Sequence, residues 1–314
     1  MKKIQSIFLP AVFAGIATVF TTGIASAQNE YVTDNADNPV SEITPSGTVT
    51  QFLSNSPDLA GPTGLAFNSA GDLLVANNNG NIAEFTSGGT FIGNYATGVS
   101  SFGNGLRGLA FDSAGNLFVA NRTGGVITEI PMGGGPSITI GLNTNGAVNG
   151  VAFDSAGNLY VAVGSTLDKI TFSSVGVYSG MTSIVTDLTN PNGVASEGGN
   201  VFVVNTNSND VLEFDATGNL IGTVVSGLPN NAGHGLSIDS LGNFWVTDEG
   251  IYNDVTEYSS TGTLLQTVTS SNFAGPNFIT TVTSNVPEPS AIALMLAGVG
   301  LLFYFTRRKL TSNS

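Results

Sequence analysis

The chain has 314 residues, no cysteine, 41 glycines, and eight basic against 22 acidic side chains. Disulfides, a thiol nucleophile and cysteine-ligated zinc or iron–sulfur centres are excluded by the cysteine count alone. With 41% apolar and only 10% charged residues, the chain buries a sizeable core and is no disordered polyelectrolyte.

The chain opens with Lys2-Lys3, an apolar run from Ile7 to Phe20, and Ala25-Ser26-Ala27 before Gln28. This is the three-part layout of a secretory signal peptide over residues 1–27, and small residues stand at the cleavage positions. The 14-residue run is short of the ~20 residues that span a bilayer.

Residues 28–285 are a repeat. The motif reads GLAFNSAGDLLVAN from Gly64, GLAFDSAGNLFVAN from Gly108, GVAFDSAGNLYVAV from Gly150, GVASEGGNVFVVN from Gly193 and GLSIDSLGNFWVTD from Gly235. Successive copies are 44, 42, 43 and 42 residues apart, a period typical of propellers and solenoids. Each copy alternates apolar residues, turns through a sequence such as Asp-Ser-Ala-Gly-Asn, and runs into a second apolar strand, which is a hairpin pattern. A third and a fourth strand follow, such as NIAEFT from Asn81 and TFIGNY from Thr90. Four short strands per unit make a propeller blade.

The ends of the repeat complete each other. The segment from Tyr31 to Leu53 lacks a first strand, whereas GPNFITTV from Gly275 is a first strand with no second. Together they make a sixth blade, so the expected fold is an all-β, six-bladed propeller latched by N- and C-terminal strands. Closure of this kind leaves no unpaired first and last strands.

Charge is unevenly placed in this body. It holds 21 of the 22 acids, but only Arg107, Arg122 and Lys169 among bases. Such a field repels phosphate backbones, so nucleic acid is excluded as a partner, and a divalent cation is the first charged ligand to consider. The turn acids Asp112, Asp154 and Asp239, with Asn68 in the first copy, cap their own turns and need no metal. Glu42, Glu84, Glu129, Glu213 and Glu257, with Lys169 in the third blade, read as a solvated third-strand face.

Propeller geometry points to a better site. Residues entering the first strands (Thr63, Arg107, Asn149, Asn192, His234, Asn277) and residues ending the second strands (Asp34, Asn77, Asn121, Val163, Asn205, Asp248) converge on one mouth of the central channel. A concave, polar mouth is the expected ligand site, with Arg107, Asn149, Asn192, His234 and Asn277 as its binding residues. His234 is the only histidine, and it and Arg107 are the candidates for acid–base or electrostatic catalysis. Asp34 and Asp37 of one loop and Asp248, Glu249 and Asp254 of its neighbour gather five carboxylates beside His234, an oxygen-rich set that suits Ca2+ or Mg2+ better than zinc.

The C-terminal segment, residues 286–314, carries Val286-Pro287-Glu288-Pro289-Ser290, an apolar run and Arg307-Arg308-Lys309. A transmembrane helix is expected over 290–306, with the basic cluster cytoplasmic and the body outside. This order resembles the PEP-CTERM sorting signal of Gram-negative bacteria, with Val286, Pro287, Glu288 and Pro289 as its motif. The resemblance implies a membrane-anchored precursor at the inner membrane, recognised and cleaved by an exosortase, and a product at the cell surface or outside the cell.

The repeats themselves resemble NHL-type repeats and the six-bladed propellers of the gluconolactonase and streptogramin-lyase groups. That resemblance implies fold more than activity and leaves two classes. One is a non-catalytic binding or scaffold module for an extracellular polysaccharide or surface protein. The other is a metal-dependent lactonase-like hydrolase or a streptogramin-lyase-like enzyme, in which Asn149, Asn192, Asp248 and His234 supply part of the site.

Overall fold

The computed structural model describes residues 28–34, 39–54, 57–99, 105–133, 135–142, 146–174, 176–229, 234–250 and 252–282. The signal peptide, Asp37, the sorting motif and the transmembrane helix expected over 290–306 lie outside them. Within them the chain forms 24 strands in six four-stranded antiparallel sheets.

In chain order the strands begin with β1 (Glu30–Asp34), β2 (Val40–Ile43) and β3 (Val49–Leu53). Blade 1 follows as β4 (Pro62–Phe67), β5 (Leu73–Asn77), β6 (Ile82–Phe85) and β7 (Phe91–Ala96). Blade 2 is β8 (Leu106–Phe111), β9 (Leu117–Asn121), β10 (Val126–Ile130) and β11 (Ile138–Gly141). Blade 3 is β12 (Val148–Phe153), β13 (Leu159–Val163), β14 (Thr166–Ser174) and β15 (Val177–Val185). Blade 4 is β16 (Pro191–Glu197), β17 (Asn200–Asn205), β18 (Asp210–Asp215) and β19 (Leu220–Ser226). Blade 5 is β20 (Leu236–Ile238), β21 (Phe244–Asp248), β22 (Asp254–Tyr258) and β23 (Leu264–Thr269), and β24 (Pro276–Thr281) ends the series.

The closing blade has the order β24-β1-β2-β3, as the complementary end fragments require. Its seam is registered by Glu30 opposite Thr281, Tyr31 opposite Thr280 and Val32 opposite Ile279.

The core is six wedges, one between each pair of neighbouring blades. Phe118, Ile127, Val148 and Leu159 fill one, and Val32, Trp245, Val255 and Ile279 fill the wedge beside the seam. Second strands are sandwiched on both faces, so β5, β9, β13 and β21 are buried at every residue. That is why these strands read as continuous apolar runs rather than alternating ones.

The turn between first and second strands has one construction in blades 1, 2, 3 and 5, whereas blade 4 turns through Gly198-Gly199. In blade 2 the Asp112 carboxylate accepts the N–H groups of Ala114 and Asn116 and the Asn116 amide, and Asp154 and Asp239 repeat this. Gly115 and Gly157 hold φ of 84° and 82° in these turns, where a side chain would be strained.

The third-strand glutamates depart from expectation. Glu129 and Glu257 are buried, and Glu42, Glu84 and Glu213 are half-buried. Amides of neighbouring strands or turns reach them, with Asn200 Nδ2 2.6 Å from Glu213, Asn243 Nδ2 2.9 Å from Glu257 and Asn68 Nδ2 3.2 Å from Glu84. They hold adjacent strands together rather than facing water, because each lies opposite a bulky second-strand residue such as Phe118, Phe202 or Trp245.

One buried acid clamps the closing blade to blade 5. Glu30 on β1 is fully buried and accepts the hydroxyls of Ser237 at 2.6 Å and Thr281 at 2.7 Å. Loss of solvation, aided by the charges of Asp239 and Glu257 and opposed by the two hydroxyls, pushes its carboxyl up from 4.5 to about 8. Between those values the folded chain keeps a proton that the unfolded chain has lost, so stability falls as pH rises. Glu30 should contribute a loss of about 1.4 kcal/mol per pH unit across that window. Chemical denaturation of Glu30→Gln over the same pH range should show a flatter dependence, and an unchanged slope would assign the effect elsewhere.

Candidate functional site

Each first strand starts at the face where the second strand ends, and the structure brings both polar sets to that mouth. It then separates them by what they bind. Asn77 Oδ1 accepts the N–H of Ala60, Asn205 Oδ1 that of Thr189, and Asp34 Oδ2 those of Ala274 and Gly275. These second-strand ends staple the loop leading into their own blade's first strand. Asn121 accepts Gly124 N–H at 3.2 Å in its own loop, and Val163 is a core residue.

The first-strand set is committed unevenly. Thr63 Oγ1 donates to Leu106 O at 2.8 Å, and Asn149 Nδ2 donates to Pro191 O at 3.0 Å. Asn192 Nδ2 reaches Thr206 Oγ1 at 2.8 Å. These bonds link each blade to the next or brace the start of a strand, so Asn149 and Asn192 serve the ring as well as lining the mouth.

Three predicted residues remain grouped around one carboxylate. Glu249 Oε2 accepts from His234 Nδ1 at 2.5 Å and from Asn277 Nδ2 at 2.7 Å. A histidine that donates Nδ1–H to a carboxylate leaves Nε2 as its acceptor, the arrangement of an oriented base. Beside this pair, Asp248 and Asp254 face each other across the end of the β21–β22 ladder. Asp248 Oδ2, Asp254 Oδ1 and Asn277 Oδ1 are buried, and none has a hydrogen-bond partner among the described residues. Loss of solvation raises both aspartic acids above the ordinary value; the Asp248 charge adds to the rise at Asp254, while Gly250 N–H and His234 oppose it at Asp248.

The five expected metal ligands therefore do not act as one set. Asp34 is spent on backbone N–H groups, Glu249 on His234 and Asn277, and Asp37 is outside the described residues. Among the described residues no three His, Asp or Glu side chains are grouped to hold a metal ion. Of that set, Asp248 and Asp254 each keep a buried oxygen with no partner among the described residues, as Asn277 does beside them.

The opposite side of the mouth is cationic. Arg107, half-buried, and Arg122, exposed, line a cavity of about 720 Å³ between blades 2 and 3, with Gly124, Gly125, Gly146 and Ala147. Arg122 is the functional candidate that sequence reasoning passed over. It stands one residue beyond the second-strand end Asn121, which was the signal available. The central channel itself, about 530 Å³, is walled by first strands and reaches the Asn68 and Asp112 turns on the far face.

The chain leaves the described fold after β24, whose end lies on that far face. Residues 285–309 match the PEP-CTERM protein-sorting motif. No curated protein matches the sequence.

Solved structures share the fold. The nidogen/laminin complex aligns with a TM-score of 0.69 at 16% identity, over 82% of this chain and 99% of that one. Virginiamycin B lyase from Staphylococcus aureus gives 0.59 at 17% identity, over 79% and 83% of the two chains. A gluconolactonase from Xanthomonas campestris gives 0.58 at 16% identity, over 71% and 84%. At these identities the likeness is one of architecture.

The facing aspartates cost stability, since each raises the energy of ionising the other. Asp254→Asn should raise the melting temperature in metal-free buffer at pH 8 by about 2–4 °C, the scale of 1 kcal/mol in a domain this large. At pH 4 the gain should be smaller, because raised pKa values leave more of the pair protonated there, and scanning calorimetry of both proteins at both pH values will check this.

Proposed function

We propose that this protein is an exported propeller, processed by an exosortase at the inner membrane, that acts at the cell surface or outside the cell as a non-catalytic binding module. Its ligand site is the polar mouth, and a saccharide of the extracellular matrix or a surface protein is the partner class. One observation carries the reading: at the mouth, buried side-chain oxygens of Asp248, Asp254 and Asn277 have no hydrogen-bond partner among the described residues. Buried polar atoms are normally satisfied, so a group of them at a concave mouth marks a place that a ligand completes. The same three oxygens suit Ca2+, and this cation is the cofactor proposed for that side of the mouth.

The His234–Glu249 pair supports a second reading, a lactonase-like hydrolase or a lyase, and the lyase and lactonase folds among the structural neighbours agree with it. Against it, among the described residues no first strand carries a buried glutamate to join Asn149, Asn192 and Asp248 as a carboxylate of such a site.

The two readings separate in one assay. The full chain, tested against a panel of lactones and cyclic depsipeptides with and without chelator, should show no turnover above the His234→Ala variant. Chelator-sensitive turnover lost in His234→Ala would establish the enzyme instead.

Sorting has its own test. Replacing Pro287 and Glu288 by alanine should leave an uncleaved precursor in the membrane fraction, and normal release of this variant would exclude exosortase processing.

A further inference from the structure

The body holds three basic side chains against 21 acids. Lys169 is used by the fold: its Nζ donates to Ala216 O at 3.1 Å and sits over the Tyr160 ring, 5.4 Å from its centre. The two arginines are placed differently. Both line the same cavity at the mouth, and among the described residues neither guanidinium makes a salt bridge. Arg107 lies close enough to Arg122 that, after burial, the second guanidinium is the next cause lowering its pKa, and Glu249 acts in the opposite sense.

Two like charges brought together in a strongly acidic protein, with no acid between them, destabilise the free fold and favour whatever neutralises them. Their forked donors match a planar or tetrahedral oxyanion. The surrounding field limits the ligand further. A body with this excess of acids repels an extended polyanion, whereas a single negative group can be held locally within the ~8 Å screening distance of physiological salt. The cavity's 720 Å³ accommodates a ligand of sugar size.

We propose that Arg107 and Arg122 form an oxyanion subsite of the mouth, which takes a single carboxylate or sulfate borne on a saccharide-sized ligand. This rests on the mouth being a ligand site and names the chemistry that half of it selects. The mouth then recognises its ligand by polarity, with the anionic group over blades 2 and 3 and uncharged or cationic parts toward Asp248 and Asp254.

The test is calorimetric titration of the full chain in detergent with glucuronate, glucose and sodium sulfate, at constant ionic strength set with chloride. Glucuronate should bind and glucose should not; sulfate binding alone would assign the subsite to a sulfate ester rather than a carboxylate. Affinity for the bound anion should fall roughly tenfold or more in Arg107→Gln and in Arg122→Gln, and be restored only in part in Arg122→Lys, which keeps the charge but loses the fork. Arg122 is exposed, so its variants should melt as the native chain does and a loss of binding there is not a loss of fold. Equal anion binding by native and glutamine variants, or no anion binding by the native chain, overturns the subsite. Lactone turnover would overturn the non-catalytic reading while leaving the anion result standing, so the two failures are distinct.

Discussion

The ring is set by backbone contact at five glycines. A Cβ built on Gly64 would lie 1.9 Å from Arg107 O, and one on Gly150 would lie 2.2 Å from Asn192 O. Gly108, Gly193 and Gly235 meet the next blade's first strand at 2.7–3.0 Å. None of these five has a positive φ, so the requirement is for space and not for conformation. Only a residue without a side chain lets neighbouring first strands close to this radius, and that radius decides which residues share the mouth. Arg107, Asn149 and Asn192 each stand immediately before such a glycine, as His234 does before Gly235.

The sixth position breaks the pattern. Phe278 stands where a glycine would, and the seam there is held by the Thr33 hydroxyl, which donates to Thr63 O at 2.7 Å and accepts Phe278 N–H at 3.1 Å. A ring closed by strands from opposite chain ends brings its last blade together through long-range pairing, and side-chain bonds from Thr33 and Glu30 add specificity at that joint. Electrostatic cost accumulates in the same region: Glu30, Asp248 and Asp254 all have raised pKa values, with burial as the first cause. Functional sites are commonly built from groups that the fold would be more stable without.

Much of this was legible in the residues. The period, the hairpin turns and the complementary end fragments required six blades, because a strand pattern of period two with turn residues every few positions admits few other arrangements. The turn aspartates were readable as caps since their partners lie two and four residues away. Side-chain bonds to distant backbone were not readable in this way. Nothing local tells Asp34, stapled to Ala274 and Gly275, from Asp248, whose second oxygen has no partner among the described residues. The third-strand glutamates were misread for a similar reason. Alternation identifies which face a residue is on, but in a propeller both faces of an inner sheet meet neighbouring blades, and only the outermost strand is open to water.

What the residues alone determined is the kind of object: a cysteine-free, acidic repeat with a PEP-CTERM motif, whose local periodicities each specify one strand or turn. Which acids accept backbone N–H groups and which keep an unpartnered oxygen among the described residues, and that the two arginines share one cavity, was decided by tertiary structure. These groups are far apart in sequence and come together only when six blades close on their glycines, and a carboxylate's role depends on the donors within about 3 Å of it.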